Sequence, residues 1–138
     1  ECLALIMIDV DEFKSYNDYY GHLQGDDCLR RIGAALVQTV KRSSDLVARY
    51  GGEEFAVVLP ATSEKGALEL AVQIQQAVAS ACIRHERSHS GEFITVSMGI
   101  ATFTPQGDDT YRELVAVADQ ALYQAKRQGR NCICIGSH

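Results

Sequence analysis

Acidic residues crowd two short stretches of this 138-residue chain. In "MIDVDEF", Asp9 and Asp11 close a nearly unbroken apolar run, and in "RYGGEEF", Glu53 and Glu54 follow two glycines. If the second stretch is a hairpin lying beside the first, Asp9 and Glu53 converge, and hard oxygen ligands of that kind suit Mg²⁺ held jointly with phosphates. A carboxylate pair at a turn is more often simply solvated, so nearby cations decide how the acids are read. Lys14 follows the first acidic stretch, while Lys126 and Arg130 stand at the end of the last helical pattern. There they either answer the helix dipole or, beside Mg²⁺, cradle a triphosphate.

The hydrophobic pattern shows the elements that must position these groups. Leu3 to Val10 reads as a central strand covered on both faces. In "GDDCLRRIGAALVQTVKR", Leu29, Ile32, Leu36, Val37 and Val40 recur at helical spacing, which predicts a helix ending near Arg42 with Asp26 or Asp27 as its cap. Gly51-Gly52 between two β-rich runs predicts a tight hairpin. A helix over 63–82 follows, burying Ala67, Leu68, Ala71, Ile74 and Val78, and "IRHERSHSGE" then reads as a polar connector. "FITVSMGIA" alternates, with Ile94, Val96, Met98 and Ile100 on one face and Thr95, Ser97 and a closely approached Gly99 on the other. The last helix has a Thr110–Glu113 capping box, a stripe of Leu114, Val117, Ala118, Ala121, Leu122 and Ala125, and a stop at Gly129. "NCICI" closes the set as a strand. The order, strand, helix, hairpin, helix, strand, helix, strand, predicts an α+β fold with a mainly antiparallel central sheet and helices on its faces.

Composition narrows the function classes. A length of 138 residues, 46% hydrophobic and 22% charged, predicts one globular domain over 1–138. A formal charge of -5 leaves no broad basic field for nucleic acid or an anionic membrane, so neither is expected as a partner. Five cysteines without a C-x-x-C pair predict buried, reduced thiols in a cytoplasmic protein, with Cys132 and Cys134 in the core. No apolar run reaches the ~20 residues that span a bilayer, although a membrane-anchored parent stays open. Because the sequence opens almost inside a strand, it reads as a fragment of something longer.

Four ordered blocks carry a family resemblance. "DVDEFKSYNDYYGHLQGDD" resembles the D-x-D-x-F-K-x-x-N-D-x-x-G-H-x-x-G-D signature of GGDEF-family diguanylate cyclases, and "RYGGEEF" resembles their signature hairpin in a GGEEF form. "SMGIA" and "ADQALYQAKRQGRN" are similar to the family's later blocks. The resemblance implies a fold related to the palm of nucleotidyl cyclases and polymerases. It also implies condensation of two GTP into cyclic di-GMP and two pyrophosphates by a homodimer with two Mg²⁺ per active site, Mn²⁺ being able to substitute.

Carried over residue by residue, the resemblance makes Asp9, the Val10 carbonyl and Glu53 metal ligands. Glu53 is also the candidate for deprotonating the 3′-hydroxyl. Glu54 either supports the metal shell or forms a plain salt bridge. Lys14 would stabilise charge on the phosphates, Lys126 and Arg130 would bind their outer oxygens, and Asn17 and Asp26 would recognise guanine. His22 reads as a packed structural histidine. "RSSD" places Arg42 and Asp45 in the family's R-x-x-D product-inhibition position; R-x-x-D also arises by chance as a surface pair at a helix end, but its register against GGEEF favours the product site. His85 and His89, spaced i, i+4, lie in a connector that suits zinc poorly. The rival function is a noncatalytic receptor for GTP or cyclic di-GMP, against which the retained acids and cations argue. One departure stands out: no D-x-L-T-G-L-x-N-R-like segment precedes Glu1, which puts the activity of the isolated chain in doubt.

Overall fold

The computed structural model describes residues 2–104 and 111–137. Its elements are β1 (Leu3–Val10), α1 (Phe13–Tyr20), α2 (His22–Thr39), β2 (Leu46–Arg49), β3 (Glu54–Pro60), α3 (Glu64–Ser80), β4 (Val96–Phe103), α4 (Tyr111–Arg127) and β5 (Ile133–Ile135). The strands form one sheet in the order β2-β3-β1-β4-β5, antiparallel throughout except for the β4–β5 pair. This is the α+β architecture expected from the pattern.

β1 is central, and its lack of alternation follows from its two covers. Ala4, Ile6, Ile8 and Val10 join the larger core with α1, α2 and α3, whereas Leu5 and Met7 meet α4 on the opposite face. A strand buried on both sides has no reason to alternate apolar with polar residues. Ile94, just before β4, and Val96, Met98 and Ile100 on it all enter the larger core as expected. The opposite face is tight at Gly99: a Cβ there would stand 2.3 Å from both the Ala118 carbonyl oxygen and the Leu122 nitrogen. The α4 backbone therefore lies directly on β4.

Several expectations are corrected. The sequence pattern missed α1, an eight-residue helix whose buried Phe13 and Tyr16 are interleaved with polar side chains. Gly21, at φ 91, separates it from α2. Because α2 begins at His22 and ends at Thr39, Asp26 and Asp27 lie inside the helix and cap nothing, and the helix stops short of Arg42. His22 is exposed rather than packed. The helix expected over 63–82 is α3, Glu64–Ser80, capped by Ser63, which accepts from the Gly66 amide. All five cysteines are free thiols, yet Cys28 alone is buried; Cys132 and Cys134 are half-buried and Cys2 and Cys82 exposed. Thr110 of the expected capping box lies outside the described residues. No helix among the described residues is long and apolar enough to cross a membrane.

Candidate active site at the end of the central strand

The antiparallel β1–β3 register sets Asp9 opposite Glu54, and the Val10 amide donates to the Glu53 carbonyl at 3.1 Å. In an antiparallel strand the N–H and C=O of one residue point to the same side. The Val10 carbonyl is accordingly aimed toward the hairpin, where Glu53 stands. The structure thus brings together Asp9, the Val10 carbonyl and the hairpin acids.

The hairpin itself is looser than the two glycines suggested. Four residues, 50–53, join β2 to β3, and neither Gly51 nor Gly52 has a positive φ. Arg49 holds the turn, its guanidinium donating to the Gly52 carbonyl at 2.6 and 3.1 Å, and the Tyr50 amide donates to the Glu54 carbonyl at 2.8 Å. A Cβ at Gly52 would meet nothing, which leaves an open backbone surface beside the acids.

Lys126, near the end of α4, reaches Asp9 Oδ2 at 2.5 Å. Burial pushes the Asp9 carboxyl up to about 6; Lys126 opposes that rise, and the nearby Glu53 and Glu54 charges add to it. One lysine does not neutralise three acids, so further positive charge is favoured here. The donors are all oxygens, as a hard divalent cation requires. Among the described residues, no three Asp, Glu, His or Cys side chains form a ready metal cluster. The protein offers a partial oxygen shell, which is how Mg²⁺ is usually shared between one or two carboxylates and substrate phosphates. The residues present fit the group.

The other predicted residues surround this turn to different degrees. Glu12, in the left-handed region at φ 52, turns the chain from β1 into α1 and leaves Lys14 exposed in the first helical turn. Asn17 lies against α2: its Oδ1 is buried without a hydrogen-bond partner, and a Cβ at Gly25 would fall 1.7 Å from it. Only glycine admits this contact, and exposed Asp26 is the next residue, so the α1–α2 corner brings Asn17 and Asp26 together. Arg130 is exposed just past α4, at φ 67. Arg42 and Asp45 lie beyond α2, away from the acidic turn. Arg42 Nη2 is 3.1 Å from Asp45 Oδ1 without hydrogen-bond alignment, and its guanidinium donates instead to the Pro60 carbonyl, Ser44 and Thr62.

Two acids beside the site had gone unassigned. Asp11, only 3% exposed, accepts from Thr95 Oγ1, Ser97 Oγ and the Asn131 amide. Glu12 accepts from Ser88 Oγ at 2.8 Å, the His89 amide at 2.6 Å and His89 Nδ1 at 2.7 Å. Burial would raise the Glu12 carboxyl, but these donors outweigh it and hold the group down to about 2. His85 is buried between the Glu12 carbonyl and Ser15. The serines and histidines of "RHERSHS" were the available signal for this packed loop.

Residues 1–132 match the family model described as the diguanylate cyclase GGDEF domain. The chain is 43% identical over 129 residues to "Diguanylate cyclase DosC" of Escherichia coli, covering 94% of this chain and 27% of that protein. It is 37% identical over 131 residues to "Response regulator PleD" of Caulobacter vibrioides, covering 95% and 28%. The chain therefore spans little more than a quarter of these relatives. Among solved structures, the active GGEEF domain of a Vibrio cholerae diguanylate cyclase superposes with a TM-score of 0.85 at 36% identity, covering 100% of this chain and 85% of that one. The GGDEF domain of DgcB from Caulobacter crescentus, solved in complex with c-di-GMP, gives 0.85 at 32% identity, covering 97% and 77%. This chain belongs to the diguanylate cyclase GGDEF domain family.

Proposed function

We propose that the protein is a diguanylate cyclase that joins two GTP molecules into cyclic di-GMP across a homodimer. The observation that carries this reading is the convergence of Asp9, the Val10 carbonyl, Glu53 and Lys126 at one strand end. Asp9, Val10, Glu53 and Glu54 would hold Mg²⁺, or Mn²⁺ in its place, with two ions per site. Such an ion supplies Lewis-acid charge at the phosphates and acidifies a bound hydroxyl. Glu53 takes the 3′-hydroxyl proton, while Lys14, Lys126 and Arg130 hold the phosphate oxygens. Asp26 and Asn17 bind guanine, since a carboxylate accepts from the N1 and N2 donors that adenine lacks.

Each protomer holds one nucleotide, so two sites must face one another. Product cyclic di-GMP binds the Arg42–Asp45 region and restrains the enzyme. Support comes from the relatives named diguanylate cyclases and from the DgcB domain solved with c-di-GMP. Incubating the protein with Mg²⁺ and GTP should yield cyclic di-GMP and pyrophosphate. Tight GTP binding without product would leave a receptor in place of an enzyme.

A further inference from the structure

Asp11 shares the end of β1 with the proposed metal ligands but does different work. Its Oδ1 accepts from Ser97 Oγ at 2.5 Å, and its Oδ2 accepts from Thr95 Oγ1 at 2.6 Å and from the Asn131 amide at 3.0 Å. Its own amide donates to the Thr95 carbonyl at 3.0 Å. One buried carboxylate thereby ties three segments: the end of β1, the start of β4 with the residue before it, and the chain leaving α4. The third includes Arg130, next to Asn131, and both residues are held in the left-handed region at φ 67 and φ 50.

Both proposed halves of the phosphate site depend on this tie. The Asp9 carboxylate and Val10 carbonyl lie on one side of Asp11 in sequence, and Arg130 lies on the far side of its hydrogen bond to Asn131. We propose that Asp11 is a positioning residue that fixes the metal-binding turn against the Arg130 turn, so that metal and phosphate are held at one spacing. The inference rests on the metal and phosphate roles assigned under the proposed function. Asp11 touches neither ligand and acts through Val10 and Asn131. A carboxylate is suited to the task because it accepts from two hydroxyls and an amide at once, and the amide can only donate.

The test uses the intact protein and reads Mn²⁺ affinity by titration calorimetry in the presence of GTP held as a non-hydrolysable analogue, alongside turnover with Mg²⁺ and GTP. Asp11→Asn keeps the shape but removes the charge and turns one acceptor into a donor, which the Ser97 hydroxyl must reverse its role to accept. It should weaken Mn²⁺ binding and raise the Mg²⁺ concentration for half-maximal turnover by about 10-fold or more, the usual effect of removing a group that orients a metal ligand. Affinity for guanosine, which lacks phosphates, should not change. A purely structural Asp11 would lower stability and active fraction while leaving both metal dependences at the parental value, and that result overturns the proposal.

Thr95→Val and Thr95→Ser decide the matter if Asp11→Asn does not fold. The valine removes one donor and should weaken Mn²⁺ binding, whereas the serine restores it. Equal affinities in the two would overturn the proposal. Failure of the cyclase reading looks different: the parent protein itself would bind Mn²⁺ and the analogue yet make no cyclic di-GMP from GTP.

Discussion

Asp9 and Glu12 stand at the two ends of one short turn, yet their surroundings drive the carboxyl groups in opposite directions. On the hairpin side, burial raises Asp9 to about 6, with Lys126 as a single cation against three acids. On the β4 side, Glu12 is held down to about 2 by serine and histidine donors, and Asp11 is met by two hydroxyls and an amide. Acids that serve the fold have their donors built in. The acids proposed for chemistry are left short of positive charge, which a ligand can supply.

The largest expected effect separates the two sides by function. Glu53→Gln should cut cyclic di-GMP synthesis by about 10²–10⁴-fold, the range for removing a general base, while the urea midpoint stays near the parental value. Near-parental synthesis would sink the assignment of the hairpin. Asp11→Ala should reverse the pattern on the stability axis by leaving buried donors without an acceptor, at about 1–3 kcal/mol for each unsatisfied group. A urea midpoint unchanged from the parent would show that water or local repacking replaces the carboxylate.

The pH dependence should carry both signs. Glu12 has a depressed folded pKa, so its contribution is complete above its ordinary value of 4.5 and disappears as pH falls toward about 2. Asp9 is raised, so in metal-free solution its contribution falls as pH rises from 3.8 through about 6, where the unfolded chain releases the proton first. Urea midpoints measured across this range should show Glu12→Gln flattening the acid limb and Asp9→Asn removing the decline above pH 3.8. The same slope in both variants would mean that the two sides do not differ. The smallest effect on initial rate belongs to the remote Arg42. Arg42→Ala should leave early turnover unchanged and relieve inhibition by added cyclic di-GMP; unchanged inhibition would reduce R-x-x-D to a surface pair.

Sequence pattern revealed the strands and three of the four helices, because each rests on local periodicity, whereas the convergence of Asp9 with Glu53 was conditional on the hairpin pairing with β1, which the β1–β3 register supplies. It could not reveal Asp11's partners, which lie 84, 86 and 120 residues away. Nor did it show that "RHERSHS" is packed, since serines and histidines look alike in a solvated loop and in a hydrogen-bonded one. α1 escaped for a similar reason: eight residues supply barely two turns, too few for a stripe to stand out from noise. Asp26 looked like a cap because its helix starts about two turns before Leu29, the first residue of the apolar stripe.

Gly99 touches neither metal ligand nor proposed phosphate contact, but it sets how deep α4 sits. The helix backbone at Ala118 and Leu122 occupies the place a side chain would take, and Lys126 follows Leu122 by one turn. The thickness of that seam governs how far the ammonium must reach to meet Asp9. A single added methyl would wedge the helix outward and detune the charge balance of the acidic turn from beneath, without altering any group that meets the nucleotide.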